Sequence, residues 1–434
     1  MPTGLGFKGG VLGFGVESIF GSAVPVTKFI EINSDGLSVE EERMHSEAIP
    51  QIYQDESEVA QSFISVSGDI EFEMRYEGME LLLKQAMGNV VTAEVASFIV
   101  TATNKFIDFD IGAGAILATV TEGTYVAGLT QADVGSLCKA IYDALVVADG
   151  VGVYTVSFSA STKKFTITKS IGTLSILWKT GAHGSDLLDT HIGTLIGFSD
   201  TANDTGSLSY VSDTAVVSVY TQTFTLSDDL PVGLTFEVDR DLNAFTVEGG
   251  KINSLSMSIE NGGFLKSTIS IVGEDMTSGA VTPSTLPTSA LVNFSQGVLQ
   301  YNSVTRNVPS ASFTLNNNLK TDRRFIGSRL ISEPQRSGKV EVTGTFTIEF
   351  ESTTEYEDFR AATSRALTLT FTGGLIKTGH NYSLTITFPI IKLTAGMPKI
   401  SDAGIISIEL PFKAYATTNA REFNIVIKNT LASI

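Results

Sequence analysis

The feature that most constrains this chain is that it repeats itself. Residues 66–76 read VSGDIEFEMRY, with Val66, Gly68, Ile70, Phe72 and Met74 alternating against Ser67, Asp69, Glu71 and Glu73. Strict alternation is the period of a β-strand, so the segment buries one face and presents the other. Residues 342–350 read VTGTFTIEF, and Val342, Gly344, Phe346, Ile348 and Phe350 fall in the same places 276 positions later. The flanks agree. A short helical stretch follows each strand, at 78–86 with Met79, Leu82 and Leu83 apolar, and at 355–362 with Tyr356 and Phe359 at matching spacing. A polar arm precedes each, INSDGLSVEEERM from Ile32 and LNNNLKTDRRFI from Leu315. More loosely, two alternating strands around Gly262 and Gly263 (residues 251–272) parallel residues 399–414 around Gly404. Arm, strand, helix and hairpin recurring in one order predict two copies of one β-unit.

Residues 278–289, SGAVTPSTLPTS, read as a linker between the copies. Residues 97–215 break the first copy's pattern and read as a domain inserted in a loop, where insertions are best tolerated. The expected organisation is a discontinuous β-domain over 1–96 and 216–278, an inserted α+β domain over 97–215, and a second β-domain over 279–434. Within the insert, alternation predicts a strand at 106–109 and a hairpin of 154–158 with 164–168. A helix is expected over 130–148, with Val134, Leu137, Cys138, Ile141 and Leu145 on one face.

Charge divides along the same lines. The 434-residue chain carries −18. The first β-unit holds 25 acids and 8 bases, the insert 11 and 6, and the second β-unit 11 and 15. The matched arms are sharper still. Residues 35–58 hold eight acids, among them Glu40, Glu41, Glu42, Glu47, Asp55 and Glu56, against Arg43 alone. Residues 320–339 hold six bases, Lys320, Arg323, Arg324, Arg329, Arg336 and Lys339, against Asp322 and Glu333. Opposite signs on matched arms point to arm meeting arm, since complementary charge sets register and partner choice.

Other classes lose support. An acidic chain lacks the basic patches that hold nucleic-acid phosphates. Cys138 is the one cysteine, so no intrachain disulfide forms. Residues 1–20 show no charged n-region with an apolar run, and no apolar stretch reaches the roughly 18 residues of a membrane span. The Gly4–Gly6–Gly9 pattern lacks a preceding strand, which a dinucleotide fingerprint needs. Asp204-Thr205-Gly206-Ser207 follows a polar run and reads as a turn. His183, Asp186, Asp189 and His191 lie close together but without helix-spaced histidines or a thiolate, and read as a solvated loop. Four histidines and no nucleophile elbow or phosphate loop leave no catalytic constellation, so no enzyme, cofactor or metal site is expected.

The ordered set resembles a known family. GVESIFGSAVPVTKFIEI from Gly15, LSVEEER from Leu37, NSLSMSIENGGFLKSTISIVGED from Asn253, and VTGTFTIEFESTTEYEDFRAATSRALTLTFTG from Val342 are similar to phage tail tube proteins. The insert, with YTVSFSASTKKFTITKS and TLSILWKTG, is similar to a module found in other phage structural proteins. The resemblance implies a mainly β fold of two tandem tail-tube-type sandwich or barrel domains, each with a short flanking helix. It implies rings stacked into a hollow tube for DNA ejection. In a duplicated subgroup, a trimer of chains makes a ring of pseudo-sixfold symmetry. Implied partners are the chain itself, a tape measure protein, a tail terminator and passing double-stranded DNA, in a virion tail assembled in the host cytoplasm without a membrane anchor. Candidate lumen residues are Asp69, Glu71, Glu73, Thr345, Thr347 and Glu349. The competing reading is a virion decoration or host-surface-binding β-protein.

Overall fold

The computed structural model describes residues 4, 6, 9–46, 59–377, 379–400, 404–417 and 421–434. Its alternating segments form strands, and most join one nineteen-stranded hydrogen-bonded network. One layer runs, in pairing order, Ser38–His45, Val59–Glu73, Lys266–Gly273, Ala244–Glu260, Ser310–Asn316, Glu341–Glu349 and Ser407–Ala414, all antiparallel. A second layer runs Gly88–Val95, Val219–Leu226, Asn424–Asn429, His380–Leu393, Arg365–Lys377 and Gly297–Tyr301. An N-terminal ribbon of Val11–Val16 and Lys28–Glu31 joins through Leu234–Asp239 to residues 244–250. That long strand then passes a bulge between Ile252 and Ser254 and enters the first layer.

A strand, a short helix and a hairpin follow one another at two places in the fold. Val59–Glu73 leads to helix α1 (Glu80–Met87) and then the hairpin of Gly88–Val95 with Val219–Leu226. Glu341–Glu349 leads to a second such helix (Thr354–Ala361) and then the hairpin of Arg365–Lys377 with His380–Leu393. The matched glycines each allow a close approach. A Cβ on Gly68 would lie 2.2 Å from the Gly36 carbonyl, and one on Gly344 would lie 2.4 Å from the Phe412 ring. The two halves share one apolar core, in which Phe313 and Phe412 of the first layer meet Phe388 of the second at 5.4 Å each.

Several expectations change. The two helices dock differently. Leu81, Leu82 and Leu83 of α1 are buried, whereas the Thr354–Ala361 helix buries Glu355 and Asp358 and leaves Tyr356 and Phe359 partly exposed. The cause is ionic: Arg306 reaches Glu355 at 2.6 Å, Arg365 grips Asp358 at 2.8 and 2.9 Å, and Tyr301 donates to Asp358 at 2.9 Å. Around Gly404, Ser407–Ala414 is a strand, residues 399–400 form none, and 401–403 lie outside the described residues. Residues 280–288 hold no strand or helix, yet they are pinned to the body: Thr282 binds Glu237, and Ser289 binds Arg75 and Glu77.

The insert occupies the loop of the first hairpin, between the paired residues Val95 and Val219, and has its own apolar core. Phe106–Asp110 pairs with Ala115–Thr119, and Tyr154–Ser159 with Lys164–Lys169. Helix α2 covers Leu137–Asp149, shorter than the spacing predicts, and Val134 is 91% exposed. Asp133 accepts from the Leu129 and Thr130 amides, Gly135 takes a left-handed φ of 80°, and the helix starts only beyond it, capped by Ser136. Insert and body meet where the Ala127 amide donates to Glu94 at 2.9 Å and at two lysines. Lys163 donates to the Thr430 carbonyl at 2.8 Å, and Lys377 stands 3.4 Å from the Phe98 ring centroid, where burial lowers its pKa to about 8. Because Val95 and Val219 are direct partners, an Asn-Gly turn can replace residues 96–218. The shortened chain is expected to unfold cooperatively within roughly 5 °C of the parent, a change of no more than ~2 kcal/mol. Circular dichroism melting checks this, and a molten or aggregated product contradicts it.

Candidate functional site

Period-two patterning and register together build one broad polar face. Across the first layer a single row runs Glu71, Thr268, Ser256, Thr314, Thr343, Lys413. The next runs Glu73, Lys266, Ser258, Ser312, Thr345, Pro411. A third runs Glu260, Ser310, Thr347, Glu409. All six candidate lumen residues, Asp69, Glu71, Glu73, Thr345, Thr347 and Glu349, therefore lie on the same face of one sheet, partly or fully exposed. The opposite row, Ile70, Ile269, Leu255, Leu315 and Val342, is at most 1% exposed. Burying each such side chain is worth roughly 1.5–3 kcal/mol. A one-residue slip would turn all five outward, so the core holds the polar face in register.

That face is rich in hydroxyls and acids. Among its strands, residues 66–73, 254–260 and the four strands paired beside them, seven carboxylates stand against two ammonium groups, Lys266 and Lys413. Asn33 and Lys266 hydrogen-bond Glu71 and hold its carboxyl below the usual range.

The arms have unlike structures. The acidic arm opens as Ser38–His45, an edge strand exposed along its whole length that, among the described residues, pairs only with Val59–Glu73. Glu40, Glu41 and Glu42 are exposed there, while Glu47, Asp55 and Glu56 lie outside the described residues. The basic arm forms no long strand and runs as a belt against the body. Arg324 donates to the Ile64 carbonyl and Ser65 hydroxyl, both at 2.7 Å, and stacks over Phe63. Arg329 donates to the Ser62 carbonyl and Gln61, and its own carbonyl accepts from the Ile64 amide. These charge-assisted bonds cap a strand edge that would otherwise be open. Arg329 also lies 3.8 Å from Glu41 of the same chain, an exposed pair worth about 0–1 kcal/mol. Arg323 donates to the Glu333 carbonyl, and Arg336 to the Ser227 carbonyl and to Asn317, with burial lowering its pKa. Lys320 reaches Asp322 at 3.5 Å and stays half-exposed.

The family model described as phage tail tube protein matches residues 8–414. The chain belongs to the phage tail tube protein family. No curated protein matches it. Membership gives the chain a structural role in the virion tail, and among the described residues no helix is long and apolar enough to cross a membrane.

Several other polar groups singled out in the sequence of this tail tube protein have structural partners. His183 bonds Asp108 through its ring at 3.2 Å and its amide at 2.6 Å. Asp189, His191 and Asp200 bring one polar atom each within 4.8 Å of one another. His191 Nδ1 accepts from the Gly193 amide at 3.0 Å, and burial lowers the ring's pKa, so the neutral ring carries its proton on Nε2. A protonated nitrogen offers no lone pair to a cation. Asp204 accepts from the Trp178 indole at 2.9 Å. Cys138 is buried, and burial pushes its thiol up to about 12. Sequence reasoning missed the buried Lys251, 2.5 Å from Glu333, and the amide Asn317, which bridges the Ala86 and Ile252 carbonyls. The available signals were a lone lysine in an alternating strand and one of the two acids in a basic arm.

Proposed function

We propose that the chain polymerises as stacked rings, each a trimer of pseudo-sixfold symmetry, forming the conduit through which DNA is ejected. The observation that carries this reading is the single sheet built from both repeats. It has a fully exposed edge strand at Ser38–His45. Its other margin is Ser407–Ala414, which bonds onward to residues 390–394 from residue 411 and leaves 407–410 open among the described residues. Open edges of this length are templates for strand pairing. Joining them copy to copy closes a barrel, and closed rotational symmetry is the common solution for identical subunits. In that ring the hydroxyl and carboxylate face lines the lumen, where like charge keeps DNA from adhering. The insert, rooted in a second-layer hairpin, projects outward. Tape measure protein and tail terminator meet the tube as further partners, and assembly takes place in the host cytoplasm. Native mass spectrometry of isolated rings is expected to give three times 46.2 kDa. A ring of six whole chains contradicts it.

The acidic arm, with Glu40, Glu41, Glu42, Glu47, Asp55 and Glu56, meets the basic arm of a neighbouring copy at Lys320, Arg323, Arg324, Arg329 and Arg336. Support comes from their opposite charge and from the Glu41–Arg329 pair, which sets the two arms side by side already within one chain. Lys320→Glu, at a half-exposed position, is expected to shorten tubes in low salt and less so in high salt, where charges are screened. Electron micrographs with unchanged tube lengths at both salts overturn this contact.

A further inference from the structure

The polar face contains a smaller device that the charge totals hide. Its two ammonium groups occur one per repeat, on the strands Lys266–Gly273 and Ser407–Ala414. Each reaches diagonally across to the neighbouring strand. Lys266 stands opposite Glu73 but pairs with Glu71, two residues away, at 3.2 Å. Lys413 stands opposite Thr343 but pairs with Glu341, again two residues away in the same direction. Antiparallel sheets bring such diagonal neighbours within reach of long side chains. Asn33 also holds the first acid, donating to the same Glu71 oxygen, Oε1, at 3.3 Å. All four charged side chains are between about a third and half exposed, and ion pairs at such exposure add little to folding. Stability therefore gives no reason for setting two lysines on this face and answering each with an acid.

We propose that Glu71 and Glu341 act as charge masks, holding in ion pairs the two solvent-exposed ammonium groups that these six strands present on the face among the described residues, so that neither is free to grip a polyanion. The functional use rests on the reading that this face lines the passage for DNA. A free lysine that neutralises one phosphate adds about 0.9 to the salt slope of DNA binding, so two unmasked lysines add roughly two. Repeated around every ring, unmasked lysines would turn a smooth wall into a ladder of phosphate contacts. The hydroxyls beside them carry no charge and hold no phosphate comparably.

The test compares wild type with Glu71→Gln/Glu341→Gln, which keeps the size of both side chains and removes both masks. Binding of a fluorescent double-stranded DNA oligonucleotide to the unassembled protein is followed by anisotropy across a salt series. The double variant is expected to bind at least about tenfold more tightly at low salt, with a slope steeper by roughly two. Adding Lys266→Gln and Lys413→Gln is expected to abolish the gain, which separates unmasked lysines from a general loss of negative charge. No gain in the first variant, or a gain that survives lysine removal, overturns the proposal. Lys266→Gln/Lys413→Gln alone gives an arm independent of the acids: masked lysines predict unchanged DNA affinity, and a fall in affinity overturns masking. Virions built with the Gln variant are expected to eject DNA more slowly. Tighter oligonucleotide binding with unaltered ejection retains the masking and overturns the placement of this face in the passage.

Discussion

The rest of the structure depends on one seam of hydrogen bonds, where residues 254–260 of the first repeat pair with residues 310–316 of the second. Without it the two repeats would be separate sheets with four open edges. With it they form one sheet with two, and their cores merge into one. The seam also aligns the faces. Because side chains alternate strictly, the antiparallel register that places Leu255 against Leu315 in the core places Ser256 against Thr314 on the open side. The C-terminal strand Asn424–Asn429 repeats the joint in the second layer, lying between Val219–Leu226 and His380–Leu393. Both layers are thus continuous across the duplication.

This fusion changes what the uneven charge can do. One arm is an acidic edge strand and the other a basic belt that fills the unpaired edge of Val59–Glu73. Two identical arms could not fill these two places. Two unlike arms can, one presenting an edge and the other covering one. The basic belt therefore acts through directed bonds from guanidinium groups to carbonyl oxygens as much as through net charge. The ion pairs that matter most for local structure are partly buried, as with Lys251 and Glu333 or Arg365 and Asp358.

How much of this could be read beforehand follows from the range of each interaction. Val66 to Met74 and Val342 to Phe350 announce their own faces, because alternation is a local property. The short helix after each strand was legible for the same reason, and so was the hairpin inside the insert, but the hairpins that follow the two helices were not. Which strand lies beside which was not. Nothing local in residues 254–260 selects 310–316 over other alternating segments. The Thr354–Ala361 helix misled, since its aromatic spacing suggested an apolar face while distant Arg306 and Arg365 docked it by its acids. The helix expected from residue 130 failed before residue 136, because Gly135 takes a left-handed φ of 80° and the helix starts only beyond it, capped by Ser136. The six lumen candidates were chosen from two strands separately. That they share one face is a consequence of the seam.

The central claim is that both repeats of one chain supply adjacent parts of a single continuous wall with its polar face inward. A cryo-electron microscopy reconstruction of the assembled tube measures this directly. The account predicts unbroken density from residues 254–260 to 310–316 within each subunit, with Glu71, Ser256, Thr314 and Thr345 facing the lumen and Ile70, Leu255 and Leu315 facing away. A tube whose wall places Ser256 and Thr314 against another protein layer, or in which the two repeats of one chain lie apart, contradicts it.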